Sequence, residues 1–135
     1  YEIKGSHLTI KFFATTDKAT HVNIANHAYW NLNKIKKNIF NHDLKINSSV
    51  FLPNKKDGIP SGEFRKVKSS VHDFNSYENL GEKIKMKKEG FDANYVIKNN
   101  KKMGFVASLK CQSSKIQADF FSNQPGVPAL HISIS

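Results

Sequence analysis

Short runs of alternating apolar and polar residues recur along the chain and predict β-strands. Residues 7–14 and 20–26 alternate in this way, and Leu8, Ile10 and Phe12 would share one face of the first strand. Further strand-like runs cover residues 44–46, 50–52, 94–98, 105–111 and 115–121. The last two runs are predicted to form a hairpin. Many short strands bounded by Gly, Pro, Asn and Asp favour an all-β fold, as a sandwich or a barrel.

One stretch, residues 76–89, departs from the period of two. Tyr77, Leu80 and Ile84 fit one helical face, but Gly81 and a run of lysines weaken the helical pattern. The stretch therefore predicts either a short helix or an irregular crossover between strands.

Length and composition indicate one folded domain. The chain has 135 residues, of which 39% are hydrophobic, and no repeat or linker divides it. It begins at Tyr1 in a strand-like run and ends in sheet-like sequence at residues 132–135. We therefore expect a single β domain over residues 1–135 that is truncated at both ends.

The strongly basic charge does not predict specific nucleic-acid binding. The formal net charge is +10, but Arg65 is the only arginine, and base and phosphate recognition depends mainly on arginine. The lysines are spread along the chain near turn residues, as expected for a solvated surface. No apolar run approaches the roughly 18 residues of a membrane helix, so we expect neither a specific nucleic-acid partner nor a membrane partner.

Cysteine usage favours a reducing compartment. Cys111 is the single cysteine, so it cannot form an internal disulfide or build a cysteine-rich zinc site. It lies in an apolar alternating strand, where a buried structural thiol is expected. No signal peptide is visible, and the expected location is cytoplasmic.

Residues 26–32 are the densest group of chemistry-bearing side chains. His27 follows a predicted strand and is flanked by Asn26, Asn31 and the aromatic residues Tyr29 and Trp30. In a sugar site, aromatic faces pack on a pyranose, amides bind its hydroxyls and an imidazole exchanges protons near neutral pH. The alternative is a strand-to-turn junction in which the aromatics are core residues and the asparagines occupy turn positions.

A second candidate is Asp92, which follows Gly90 and Phe91 at the mouth of a predicted strand. Its carboxylate would accept two hydrogen bonds from sugar hydroxyls, or it would simply cap the turn. The adjacent pairs His42–Asp43 and His72–Asp73 would point to opposite faces of a strand and would not act together. No metal-ligand spacing or glycine-rich phosphate motif is present, so neither a metal nor a cofactor is expected.

Several motifs in order resemble the aldose 1-epimerase (galactose mutarotase) family, in its central portion. The N-H-x-Y-x-N-L block at residues 26–32 and the I-P-x-G-E turn at residues 59–63 are the most specific. The resemblance also runs through residues 42–46, 51–53, 72–74, 90–94 and 124–127.

The resemblance implies an antiparallel β-sandwich of the galactose mutarotase-like supersandwich type and interconversion of the α and β anomers of free aldoses such as glucose and galactose. In such enzymes a carboxylate base removes the anomeric hydroxyl proton while an imidazolium protonates the ring oxygen. By position, His27 matches the general acid and Asp92 matches the carboxylate that binds sugar hydroxyls. Asn26 and Tyr29 are further expected sugar contacts, and the resemblance implies no nucleotide or metal cofactor.

The chain departs from the family pattern in its catalytic set. The general-base glutamate would follow the Pro-Gly-Val turn at residues 125–127, and a second histidine and an arginine would precede Tyr1. Residues 128–135 do not align and are expected to diverge, through truncation, an aberrant gene model or a divergent paralogue. We therefore expect this chain alone to be inactive.

Three other functions remain open at this stage. The main alternative is a non-catalytic carbohydrate-binding relative that lacks the general base. A hexose-6-phosphate epimerase would need a cationic phosphate grip, for which Arg65 is the only arginine. A basic polyanion-binding protein is the third.

Overall fold

The structure is a computed structural model that describes residues 1–35, 38–88, 90–98 and 102–128. Of the segment expected to diverge, residues 128–135, only Pro128 falls within the described residues.

The described elements form antiparallel sheets. In chain order they are β1 (Glu2–Lys4), β2 (His7–Thr9), β3 (His42–Ile46), β4 (Val50–Pro53), β5 (Arg65–Lys66), β6 (Glu78–Asn79), α1 (Leu80–Met86), β7 (Ala93–Val96), β8 (Gly104–Cys111), β9 (Gln117–Ser122) and β10 (Gly126–Pro128). Two sheets have four strands, in the orders β10-β7-β4-β5 and β6-β3-β8-β9, and β1 pairs with β2 alone.

Both four-stranded sheets and the helix contribute to one hydrophobic core. Its members include Leu44 of β3, Phe51 of β4, Tyr95 of β7 and Leu109 of β8, each no more than 5% exposed. In β3 the buried and half-buried positions alternate strictly, so every second side chain enters the core. The all-β fold expected from the strand pattern is therefore confirmed, with a sandwich rather than a barrel as its architecture and one short helix among the described residues.

Strand prediction succeeded where a neighbouring strand is present. The hairpin of β8 and β9 is confirmed, with Lys110 opposite Gln117 at its closed end. In residues 7–14 only His7–Thr9 form a strand, and residues 20–26 form none, so these two predictions are wrong beyond β2. Alternation alone does not make a strand, since its backbone groups need a partner, and among the described residues these have none in a sheet. Phe13 is accordingly 90% exposed.

Residues 76–89 are predicted to form a short helix or an irregular crossover, and within the described residues of this stretch a helix forms at Leu80–Met86. Asn79 caps it by accepting a hydrogen bond from the Glu82 N–H at 3.1 Å, and Leu80 and Ile84 enter the core. Tyr77 precedes the helix. Within the described part of the chain, no helix is long and apolar enough to cross a membrane.

Gly81 is required by packing in this helix, although its propensity is poor. It is buried against Phe40, and a Cβ built at Gly81 would lie 2.8 Å from the Phe40 carbonyl oxygen and 3.0 Å from the Phe40 Cβ. The Gly81 N–H also donates to that carbonyl at 3.3 Å, so the backbone cannot easily move away.

We predict that Gly81→Ala destabilises the chain by about 1–3 kcal/mol because of this overlap. Helix propensity alone would give the opposite sign, a gain of about 1 kcal/mol. Urea unfolding of the two proteins measures the difference. Met86→Ala, at an exposed position of the same helix, serves as the control and should change the free energy of unfolding by less than about 0.5 kcal/mol. A Gly81→Ala chain more stable than the wild type would contradict the packing explanation.

Candidate functional site

The segment of residues 26–32 is attached to the sandwich at its C-terminal end. The rings of Trp30 and Phe120 of β9 pack edge to face, with ring centroids 5.2 Å apart and an interplanar angle of 70°. Leu32 packs against the core, and the Asn33 side-chain amide donates to the Asn38 carbonyl at 2.9 Å. Trp30 and Leu32 are therefore structural. The alternative interpretation of this segment expected both aromatics in the core, and this holds for Trp30 but not for Tyr29, which is 72% exposed.

A buried histidine holds the same end of the segment. His42 has 0% exposure, and its Nε2 accepts a hydrogen bond from the Leu32 N–H at 3.0 Å. Burial lowers the pKa of His42 from 6.5, although the Ile39 backbone and the charge of Asp43 act in the opposite direction. A neutral ring is needed here, because Nε2 can accept from Leu32 only without its proton. Asp43 points elsewhere and accepts from Gln112, as expected of neighbours on a strand.

The other candidate residues of this segment are exposed and do not pack against the core. They are Asn26, His27 and Tyr29. Tyr29 is 72% exposed, and its ring centroid lies 5.1 Å from that of His27 at an angle of 48°. The Asn26 Oδ1 accepts from the Ala28 N–H at 3.1 Å, which closes a local turn around His27. The arrangement presents an imidazole and a phenol ring together to solvent.

Asp92 is presented by a tight turn at the start of β7. Gly90 adopts φ +79°, a conformation that favours glycine, and Phe91 is buried with 1% exposure. Burial of Phe91 turns the next side chain outward, so Asp92 is exposed directly before Ala93, the first residue of β7.

An open pocket of about 430 Å³ lies beside Asp92. Phe51 contributes apolar surface to its lining. The charged side chains of the lining are three cations and one carboxylate. The lining residues are Phe51, Pro53, Asn54, Arg65, Lys66, Ser70, His72, Lys87, Asp92 and Ala93. Arg65 is already engaged, because its Nε and Nη2 donate to Glu63 Oε2 at 2.9 and 2.6 Å.

His72 is a pocket residue that the sequence analysis set aside. It lies in a turn and not in a strand, so the rule that neighbours on a strand face opposite sides did not apply. Asp73 nevertheless points elsewhere, to the Asn75 N–H at 3.2 Å. The position of His72 is shown by contacts with residues distant in sequence, such as Phe51, 21 residues earlier, and no local pattern signals that contact.

The candidate residues thus form two groups. Asn26, His27 and Tyr29 lie in one exposed segment, and Asp92 lies in the pocket, which His27 does not line. No hydrogen bond or ion pair between described residues joins His27 to Asp92. The first group can exchange a proton with a ligand and stack on it, and the second can accept hydrogen bonds from hydroxyls.

Comparison with known proteins gives a consistent result. A family model described as Aldose 1-epimerase matches residues 1–128. The chain is 31% identical to galactose mutarotase of Homo sapiens over 129 residues, and 28% identical to aldose 1-epimerase of Escherichia coli over 128 residues. These matches cover 94% and 89% of this chain.

Among solved structures, the chain is similar to a GalM/aldose epimerase homologue from C. elegans. The TM-score is 0.59 at 27% sequence identity, over 69% of this chain and 29% of that one. The chain spans 38% of the length of the human relative and 36% of the Escherichia coli one.

We predict that His42→Phe destabilises the chain by about 1–3 kcal/mol at pH 8, because the Leu32 N–H loses its acceptor. The pKa of His42 is lower in the folded chain than in the unfolded chain, so its contribution is complete above pH 6.5 and is lost as the pH falls through the folded value. The difference in unfolding free energy between wild type and variant should therefore shrink below pH 6.5. Urea unfolding at a series of pH values measures it.

The matched control is His21→Gln, which changes a histidine in an exposed, irregular segment. It should leave both the stability and its pH dependence within about 0.5 kcal/mol of the wild type. A constant difference between His42→Phe and the wild type from pH 8 to pH 4 would contradict the proposed need for a neutral His42.

Proposed function

The chain belongs to the aldose 1-epimerase family, and we propose that its function is the interconversion of the α and β anomers of free hexoses such as glucose and galactose. The observation that carries this proposal is the family match over residues 1–128, which contains both His27 and Asp92. The chain spans 38% of the length of its human relative. We therefore propose the complete reaction for a protein that has all the catalytic residues of the family, and not for these 135 residues alone.

In the proposed reaction a carboxylate base takes the proton of the anomeric hydroxyl while His27 gives a proton to the ring oxygen. The bond between C1 and the ring oxygen breaks as the C1 carbonyl forms, C1–C2 rotates, and the reverse proton transfers close the other anomer. The exposure of His27 suits direct contact with a sugar, and the adjacent Tyr29 ring offers a surface for its C–H face. Asn26 would add a hydrogen bond to a hydroxyl.

Asp92 is proposed to hold sugar hydroxyls and not to take the anomeric proton. Its place at the pocket supports this role, since an exposed carboxylate offers two acceptor oxygens to neighbouring hydroxyls. The family resemblance implies a glutamate base that would follow the turn at residues 125–127, and we propose that none of these 135 residues takes its place, so that the 135-residue chain alone does not turn sugar over.

A non-catalytic sugar-binding function is the second candidate. It is favoured by one observation: His27 does not line the pocket that contains Asp92. The phosphate-specific alternative is less well supported, because Glu63 already holds the guanidinium of Arg65. A cytoplasmic location is proposed on the ground that Cys111 is a free, buried thiol.

We predict that the chain does not accelerate the mutarotation of fresh α-D-glucose above its spontaneous rate, because the proposed mechanism needs a general base that we propose these residues do not supply. Polarimetry at neutral pH in a weakly catalytic buffer measures the rate, with His27→Ala as the comparison. Acceleration that His27→Ala reduces by about 10²–10⁴-fold would confirm mutarotase chemistry and contradict the missing base. Acceleration that persists in His27→Ala would instead remove His27 from the mechanism.

We predict that Asp92→Asn weakens binding of D-galactose by about tenfold or more, because a charged acceptor of hydroxyl hydrogen bonds is lost at unchanged size. Titration followed by NMR measures the dissociation constant. Asp17→Asn, which removes one negative charge at an exposed position elsewhere, is the control for net charge. Equal binding by wild type and Asp92→Asn would exclude Asp92 as a sugar contact.

A further inference from the structure

His72 has the geometry of a binding residue, although no motif assigned it a role. Its side chain is 9% exposed and lines the same pocket as Asp92. The ring stacks on Phe51, with centroids 4.1 Å apart at 17°, and meets the edge of Phe91 at 5.4 Å and 84°. Two aromatic side chains therefore hold the plane of the imidazole.

Tyr95 fixes the ring from its other side. The Nδ1 of His72 lies 3.2 Å from the Tyr95 hydroxyl oxygen, and the same hydroxyl donates to the His72 carbonyl oxygen at 3.3 Å. The His72 N–H in turn donates to Ser70 Oγ at 3.2 Å. Backbone and side chain are thus both held, so the ring cannot turn away without breaking these contacts.

This network determines where the proton of His72 lies. A carbonyl oxygen only accepts, so the single proton of the Tyr95 hydroxyl is used in the bond to the His72 carbonyl. The Tyr95 oxygen must then accept from Nδ1–H, and in a neutral ring Nε2 carries no proton.

Both groups are in the protonation state that this network needs at neutral pH. Burial, with a smaller contribution from the charge of Asp73, raises the pKa of Tyr95 well above its ordinary value, so the hydroxyl keeps its proton. Burial first, and then the charges of Lys87 and Lys83, lower the pKa of His72 to about 4, so the ring is neutral.

The remaining lone pair of His72 is accessible. Among the described residues, no hydrogen bond to Nε2 is present, and no buried side-chain nitrogen or oxygen lacks a partner. Nε2 is therefore accessible, and His72 is one of the residues that line the pocket.

We propose that Nε2 of His72 accepts a hydrogen bond from a sugar hydroxyl, so that His72 and Asp92 together bind a neutral, polyhydroxylated ligand. This inference rests on the proposed function and adds a specificity-determining contact to it. Two acceptors in one pocket match hydroxyl donors, whereas a phosphate or carboxylate group would offer only acceptors to His72 and Asp92. Arg65, Lys66 and Lys87 line the same pocket and would attract an anion, so competition by phosphate is part of the test. The Asn54 amide on the same wall can donate to the hydroxyl oxygens.

The first test needs neither a variant nor a ligand. Long-range ¹⁵N–¹H correlation on the 135-residue chain at pH 7 distinguishes a protonated from an unprotonated ring nitrogen. We expect Nδ1 of His72 to carry the proton and Nε2 to be unprotonated, with a shift of the Nε2 signal when D-galactose is added. A proton on Nε2, or an Nε2 signal unchanged by saturating galactose, would overturn the inference.

The second test distinguishes loss of the Nε2 acceptor from a general loss of stability of the fold. His72→Phe keeps an aromatic ring against Phe51 but removes Nε2, whereas Val106→Ala removes buried core volume in β8 of the other sheet and leaves His72 with its Tyr95 contacts. We expect His72→Phe to weaken D-galactose binding by about three- to tenfold, and Val106→Ala to change it by less than about twofold. An equal loss in both variants would overturn the inference, because it would assign the effect to the fold alone.

The outcomes also separate this inference from the proposed function. Equal binding by wild type and His72→Phe, with weaker binding by Asp92→Asn, would overturn the role of His72 and leave the sugar site standing. No saturable binding of galactose by the wild type would overturn both. Inorganic phosphate as a competitor supplies a further check, since displacement of galactose at millimolar concentration would contradict selection for a neutral ligand.

Discussion

The pairing of β4 with β7 is the constraint on which the candidate site depends. Its register places Phe51 opposite Tyr95 and Pro53 opposite Ala93. Phe51 and Tyr95 therefore enter the core on the same face, where His72 fits against both, and Asp92 lies at the end of the strand beside the pocket. A slip of one residue would turn either Phe51 or Tyr95 to the opposite face and would remove the support of His72.

The other group of candidate residues depends on a different contact. The segment that carries His27 has no sheet neighbour among the described residues, and it is held through Trp30 on Phe120 and through Leu32 on His42. Both contacts lie on the C-terminal side of His27. The structure thus anchors the segment while leaving His27 and Tyr29 accessible, which a residue that meets a sugar requires.

Histidines illustrate how burial decides what one residue type can do. His42 and His72 are both buried, and in both the pKa is lowered, so each is a neutral hydrogen-bonding group at physiological pH. The Nε2 of His42 accepts a hydrogen bond from Leu32 inside the fold, whereas the Nε2 of His72 has no hydrogen bond among the described residues, and His72 lines a pocket. His27 is exposed, and its proposed role as an acid does not depend on a buried partner.

Sequence by itself determined the features that local patterns encode. Alternation at residues 105–111 and 115–121 predicted the β8–β9 hairpin, helical spacing predicted the burial of Leu80 and Ile84, and ordered motifs identified the family. Tertiary structure alone decided that residues 10–14 and 20–26 are not strands, because strand formation needs a neighbour to satisfy the backbone, and that Gly81 is needed against Phe40. It also decided the position of His72, because its contacts with Phe51, Phe91 and Tyr95 join residues that are distant in sequence. Periodicity describes which face a side chain takes, but only the packed sheets determine which distant side chain it meets.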